Sequence, residues 1–129
     1  MNLHPSQSNI LWATSWITLY PTVRAIQQNK YDLALGTGAI FLTSINFWKD
    51  PSNHMNKIID ITMVRCVFVQ QLYKSILDRN INYWILITAS ISCYLLGCKY
   101  YNNHNYWAYT YCHMSLHILS NFGVFALLR

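Results

Sequence analysis

Charge is what this chain has least of. Only 10% of its 129 residues are charged, against 53% hydrophobic, and the few charges sit mostly between long apolar runs. That balance argues against water as the main solvent and points to an integral membrane protein. No glycine-rich phosphate loop, internal repeat or low-complexity tract is present. The four cysteines, Cys66, Cys93, Cys98 and Cys112, form no CxxC pair and suggest no disulfide framework. Three of them fall inside apolar runs, where a free cysteine packs as a small hydrophobe. Cys98 falls at the end of a run, where packing and reversible acylation are both open. A formal net charge of +5 does not indicate nucleic acid, because the basic residues are dispersed along the chain and form no stripe.

What is present is five apolar runs of near-spanning length: residues 9–26, 32–48, 57–76, 82–97 and 105–128. Their short polar connections leave no room for a linker between domains. The expected fold is therefore all-α, a polytopic membrane bundle of about five transmembrane helices in a single domain over residues 1–129. The first run carries Trp12, Trp16 and an interior Pro21. It has no basic segment before it and no small-residue cleavage site after it, so it is expected to stay in the mature chain. Gly36 and Gly38 in the second run allow close helix approach, and Lys49, Asp50 and Pro51 end that run in a turn. The third run, with Asp60, Arg65, Gln70 and Gln71, is expected to face protein on more than one side and to be central. Five spans put Arg24, Lys30, Lys74, Arg79 and Arg129 on one side, against Lys49, Lys57 and Lys99, which favours a cytosolic C-terminus. Tyr100, Tyr101, Tyr106, Trp107, Tyr109 and Tyr111 form an aromatic belt at the start of the last run.

Against this apolar background a few polar residues stand out. His113 and His117 lie four apart, on one face of a helix about one turn from each other. Such a pair suits one bound cation, or it hydrogen-bonds to neighbouring helices. Cys112 leaves the helix on another face and does not join the pair. Asp60, near the start of the third run, costs a few kcal/mol in a membrane unless it has a partner. Arg65 is a poor candidate, since five residues turn a helix by about 140° beyond a full revolution. Ser44 and Asn46 on the second run complete the polar inventory.

Ser44, then Asp60 after a Trp-Lys-Asp-Pro connection, then a terminal HxxxH followed by Ile-Leu-Ser, together resemble the CREST superfamily. That superfamily contains the alkaline ceramidases, the progestin and adiponectin receptors and the GPI-remodelling phospholipases. The chain is similar to a distant, shortened relative over about half its length. The resemblance implies a serine and a histidine on the second helix, an aspartate on the third and the HxxxH pair on the last, surrounding a zinc ion that activates water against a lipid amide or ester. Helix parity supports it: the second helix leaves, and the third and fifth begin, on the same membrane face.

One position departs from that pattern. Four residues after the serine the family carries its first zinc-binding histidine, and here Trp48 stands, which cannot coordinate a metal. Three arrangements answer the missing ligand: His54 swinging in from the next loop, Asp60 coordinating directly beside His113 and His117, or a pocket kept without metal. The resemblance thus implies an intramembrane zinc-dependent hydrolase of lipid amide or ester bonds. Zinc would be held by His113, His117 and Asp60, with Asp60 orienting or deprotonating the water and Ser44 donating to the oxyanion. The alternative is a catalytically inactive structural or accessory membrane protein, a subunit of an organellar complex or a viral membrane component. It would bind partner membrane helices, or copies of itself, by helix packing. In both cases membrane lipids are the surroundings and nucleic acid is not a partner.

Overall fold

A computed structural model describes residues 3–128; Arg129, counted above among the charges of one side, lies outside the described residues. The described residues are helical throughout, with α1 Pro5–Ser15, α2 Leu19–Gln27, α3 Tyr31–Lys49, α4 His54–Leu77, α5 Ile81–Asn102 and α6 Tyr106–Leu127. A single 3-10 turn, Trp16–Thr18, joins α1 to α2, so the two make one rod and the chain folds as five helical segments. The tight turn falls just before Pro21, which has no N–H to return to the carbonyl four residues back. Three boundaries differ most from the sequence expectation. The first segment starts at Pro5 because His4 and Gln7 close a capping box ahead of the apolar run. The third starts at His54, capped by the Asn53 side chain. The fourth continues to Asn102, taking Cys98–Asn102 out of the expected loop.

Three of the four connections end the same way. Asn29, Arg79 and His104 take positive φ (59°, 49° and 59°) and each is followed by the first cap of the next helix. The next amide in each turn reaches back to close the preceding helix: Lys30 N–H to Ala25 O at 2.9 Å, Asn80 to Ser75 at 3.0 Å, Asn105 to Tyr100 at 2.9 Å. The Asn80 and Asn105 side chains then accept from Tyr83 and Ala108 N–H and start α5 and α6. Such short turns force antiparallel neighbours.

The helices form an incomplete ring. α5 and α6 pack along their whole length, α6 and α3 both pack on α1, and α3 packs on α2 and α4. α4 scarcely touches α5 or α6, although only three residues link it to α5. The expectation of a central third segment is therefore corrected: α4 is peripheral. Its inward residues, Asp60, Val67, Gln71 and Ser75, lie on one stripe at spacings of seven and four, so a single face suffices for them. Gly36 sets the α3–α4 approach, since a Cβ there would stand 2.9 Å from Gln70 Oε1 and 3.0 Å from Val67 Cγ1. Lys74 Nζ bonds Asp32 Oδ2 at 2.7 Å at the same end.

Two apolar clusters plug the ring. Ala25, Leu33, Tyr83, Ile87, Val124 and Leu127 pack where α2 and α6 end. Leu11, Phe47, Trp48 and Tyr109 pack at the opposite end. Polar side chains share the interior with these clusters while large aliphatics lie outside: Thr37, Ser90 and Thr110 are at most 1% exposed, whereas Leu35, Val69 and Ile85 are 77%, 64% and 63% exposed. One described helix, Ile81–Asn102, is long and apolar enough by itself to cross a membrane. The other segments carry charged ends or polar inner faces, such as Asp60, Arg65 and Gln71 in α4, that lower their mean hydropathy.

Candidate functional site

The space between the two plugs is a cavity of about 380 Å³. Every helical segment contributes to its wall: Ser15 and Thr18, Ser44 of α3, Asp60 of α4, Ser90 of α5, and His113 and His117 of α6. The four residues singled out in the sequence, Ser44, Asp60, His113 and His117, thus border one cavity. Asn46 does not; it lies outside, its side-chain amide 3.3 Å from Asn56 Oδ1.

Asp60 finds its partners on α3. Its Oδ1 accepts from Thr43 Oγ1 and Ser44 Oγ, both at 2.8 Å. The short α3–α4 connection makes this contact, because Ser44 stands five residues before the end of α3 and Asp60 six after the start of α4. Arg65 takes no part, as the helical angle between the two residues requires; the ion pair among the described residues joins Lys74 and Asp32. Thr43 is the partner that sequence reasoning missed, and nothing distinguishes it there from any other threonine in an apolar run.

The histidines are held differently from each other. Thr14 Oγ1 lies 3.1 Å from the Leu11 carbonyl and 2.8 Å from His117 Nδ1, so its hydroxyl ties the imidazole to α1. Nε2 of His117 has no hydrogen-bond partner among the described residues. His113 is packed among rings: edge-on to His117 with centroids 4.8 Å apart, edge-on to Trp48 at 5.0 Å and tilted on Tyr109 at 5.6 Å. The Trp48 indole, 2% exposed, has a buried N–H without a hydrogen-bond partner among the described residues.

This arrangement does not fit a zinc ion. A catalytic zinc takes three protein ligands and a structural one takes four. Among the described residues no three His, Cys, Asp or Glu side chains gather closely enough to hold a metal. Asp60 is engaged by the α3 hydroxyls, and beside His113, where the family resemblance asks for a lone pair, stands the Trp48 ring, which has none to give. His54 is the exposed first residue of α4 and lies outside the cavity wall. What the site offers instead is a carboxylate, two imidazoles, several hydroxyls and the side-chain amides of Gln71 and Asn121, sharing the wall with Ile40, Phe68, Ile87 and Leu116. No protein-family model, characterised protein or solved structure matches the chain.

Proposed function

We propose that this chain is a multi-pass membrane protein whose mid-depth cavity holds an amphiphilic lipid. The observation that carries it is the chamber itself: about 380 Å³, flanked at both ends by apolar clusters, with Ser44, Asp60, His113 and His117 on a wall that mixes Ile40, Phe68, Ile87 and Leu116 with hydroxyl and amide side chains such as Thr37, Gln71 and Ser90. That combination of apolar stretches and convergent polar groups, at a volume within the roughly 300–1,000 Å³ of small-molecule sites, suits a ligand with a long tail and a hydrogen-bonding end. The burial pattern, with polar side chains inside and Leu35, Val69 and Leu95 outside, supports five spans for a chain in which α5 alone passes on composition. The resident groups bind without a metal: Asp60 accepts from a hydroxyl or amide N–H of the ligand, and His117 Nε2, free of a partner in the fold, forms a second hydrogen bond to it.

A second role, hydrolysis of a lipid amide or ester as the family resemblance implies, is favoured by one feature. His117 is an imidazole held in place through Nδ1 by the Thr14 hydroxyl at 2.8 Å, as a general base has to be oriented. Photolabelling tests the binding role. The protein in phosphatidylcholine vesicles is exposed to monoolein bearing a diazirine on its acyl chain. Adducts are expected on Phe68, Ile87 and Leu116 and are lost when Ser90→Trp fills the chamber. Adducts confined to outward residues such as Leu35 and Leu95 would refute it. Mass spectrometry of ceramide and glycerophospholipid incubated with the wild type, Asp60→Asn and His117→Gln tests turnover separately.

A further inference from the structure

Most of the cavity wall is buried or half-buried, and the exceptions are all in one place. Ile61, Val64 and Arg65 of α4 and Ile91 and Tyr94 of α5 line the cavity and are also exposed on the outside. They border the seam where α4 and α5 scarcely touch. The cavity is therefore closed above and below by its plugs and opens sideways, at mid-length of two helices, through a portal edged by isoleucine and valine.

One residue in that portal is out of keeping with its neighbours. Arg65 lies at the middle of the 24-residue α4, on the rim of an apolar opening, and has neither an ion pair nor a hydrogen bond to any described residue. Asp60 is the other charged group on the wall, and its carboxylate is already bonded to Thr43 and Ser44. Tyr94, across the seam, is near enough to feel the guanidinium charge. Mid-span arginine is expensive in a bilayer and persists where it meets a counter-charge or water. No carboxylate of the fold supplies the counter-charge. The planar fork of five N–H donors matches a carboxylate or phosphate in two-point contact.

We propose that the α4–α5 portal admits an amphiphile with an anionic headgroup from the bilayer, and that Arg65 receives the anion at the rim while the tail enters the cavity. The shared chemistry is a single-chain lipid ending in an oxyanion, either a fatty carboxylate or a lysophosphatidate. Tyr94 borders the same opening from the α5 side. Asp60, the other charge on the wall, repels an anion, so the headgroup stays at the rim. This assignment rests on the lipid-binding role above and adds charge selectivity and a route to it.

Fluorescent displacement tests it on the full chain in dodecyl maltoside micelles, with cis-parinaric acid as the bound probe. Palmitate, lysophosphatidic acid, monoolein and hexadecyltrimethylammonium are the competitors. Palmitate or lysophosphatidic acid should displace the probe at concentrations at least tenfold below monoolein, the better of the two identifying the anion. Arg65→Gln should erase that tenfold preference while monoolein binding, read with a neutral dansyl monoacylglycerol, stays within twofold. Arg65→Lys should keep most of the preference. Since Arg65 is exposed, both variants should unfold thermally like the wild type. Equal displacement by anionic and neutral lipids in the wild type, a preference unchanged in Arg65→Gln, or the cationic competitor as the best displacer would overturn the proposal while leaving lipid binding intact. Binding of neither the anionic nor the neutral probe would defeat both together.

Discussion

The Asp60–Ser44 bond is the contact on which the site's geometry depends, and its contribution follows from where else each hydroxyl can turn. Thr43 has a second acceptor, the Ile40 carbonyl at 3.1 Å, and loses little when Asp60 is removed. Ser44, 7% exposed, has Asp60 Oδ1 as its hydrogen-bond acceptor in the structure. Asp60→Ala therefore strands one buried donor and removes a charge-assisted bond, a loss of about 2–3 kcal/mol. Asp60→Asn keeps the acceptor oxygen and should lose under about 1 kcal/mol. Ser44→Ala removes the stranded donor, so the two alanine variants should couple. Membrane hydrogen bonds average about 0.6 kcal/mol in double-mutant cycles and reach about 1.7 kcal/mol. A carboxylate acceptor at 2.8 Å places this pair in the upper half, about 1–1.7 kcal/mol.

The assay is reversible unfolding in mixed detergent and dodecyl sulfate micelles, followed by the fluorescence of the five tryptophans. Wild type, both single variants and the double variant give the cycle, and Thr43→Ala in place of Ser44→Ala should give a smaller coupling. Additivity of Asp60→Ala and Ser44→Ala within about 0.3 kcal/mol would refute the reasoning. Asp60 would then be held by something other than the α3 hydroxyls.

Two further outcomes follow from the packing. Gly36→Ala should cost about 1–3 kcal/mol in the same assay, because Val67 is β-branched and cannot retreat from a Cβ at 3.0 Å; Gly38→Ala, whose nearest neighbour would be Thr22 Cγ2 at 3.6 Å, should be neutral or slightly stabilising, and equal costs would contradict the assigned α3–α4 contact. Trp48→His replaces the indole ring beside His113 with an imidazole that has a lone pair and brings three histidines together. Losing a buried tryptophan should destabilise by a few kcal/mol, and zinc should restore about 2.7 kcal/mol at 100 times its Kd in the variant while leaving the wild type's unfolding temperature unchanged. Stabilisation of the wild type by zinc to the same extent would show that the native set already holds metal.

The five helical segments were legible because each is an apolar run bounded by charged or asparagine-rich turns, a signal that needs no tertiary information. Asp60, His113 and His117 were legible for the complementary reason: in a run of Ile, Val and Leu an ionisable side chain has to be matched by something. Who matches it was not. The Thr14–His117 bond crosses 103 residues, and the choice of Thr43 and Ser44 over Arg65 depends on the rotation of α4 about its axis. Apolar periodicity fixes that rotation poorly in a helix with large hydrophobes on every outward face. The same weakness misplaced α4 at the centre, because Asp60, Arg65, Gln70 and Gln71 looked like several polar faces, whereas Asp60 and Gln71 share one stripe and Arg65 lies at the seam. Trp48 was visible as a departure from the resemblance, but its packing against His113 required the folded chain.

The cavity raises an energetic question that bears on both proposals. Left unfilled, a chamber of about 380 Å³ deprives the apolar part of its lining of packing partners on one side, at a cost in lost dispersion contacts. Closer packing of α4 on α5 would remove that cost. Filling removes the cost instead. Water could serve the polar wall at Asp60 and His117, but it gains little against Ile40, Phe68, Ile87 and Leu116. An amphiphile entering between α4 and α5 satisfies both kinds of wall and leaves its charged end at Arg65. On that account the α4–α5 seam is weakly packed because it is a doorway, and Arg65 stands unpaired in it because its partner arrives with the ligand.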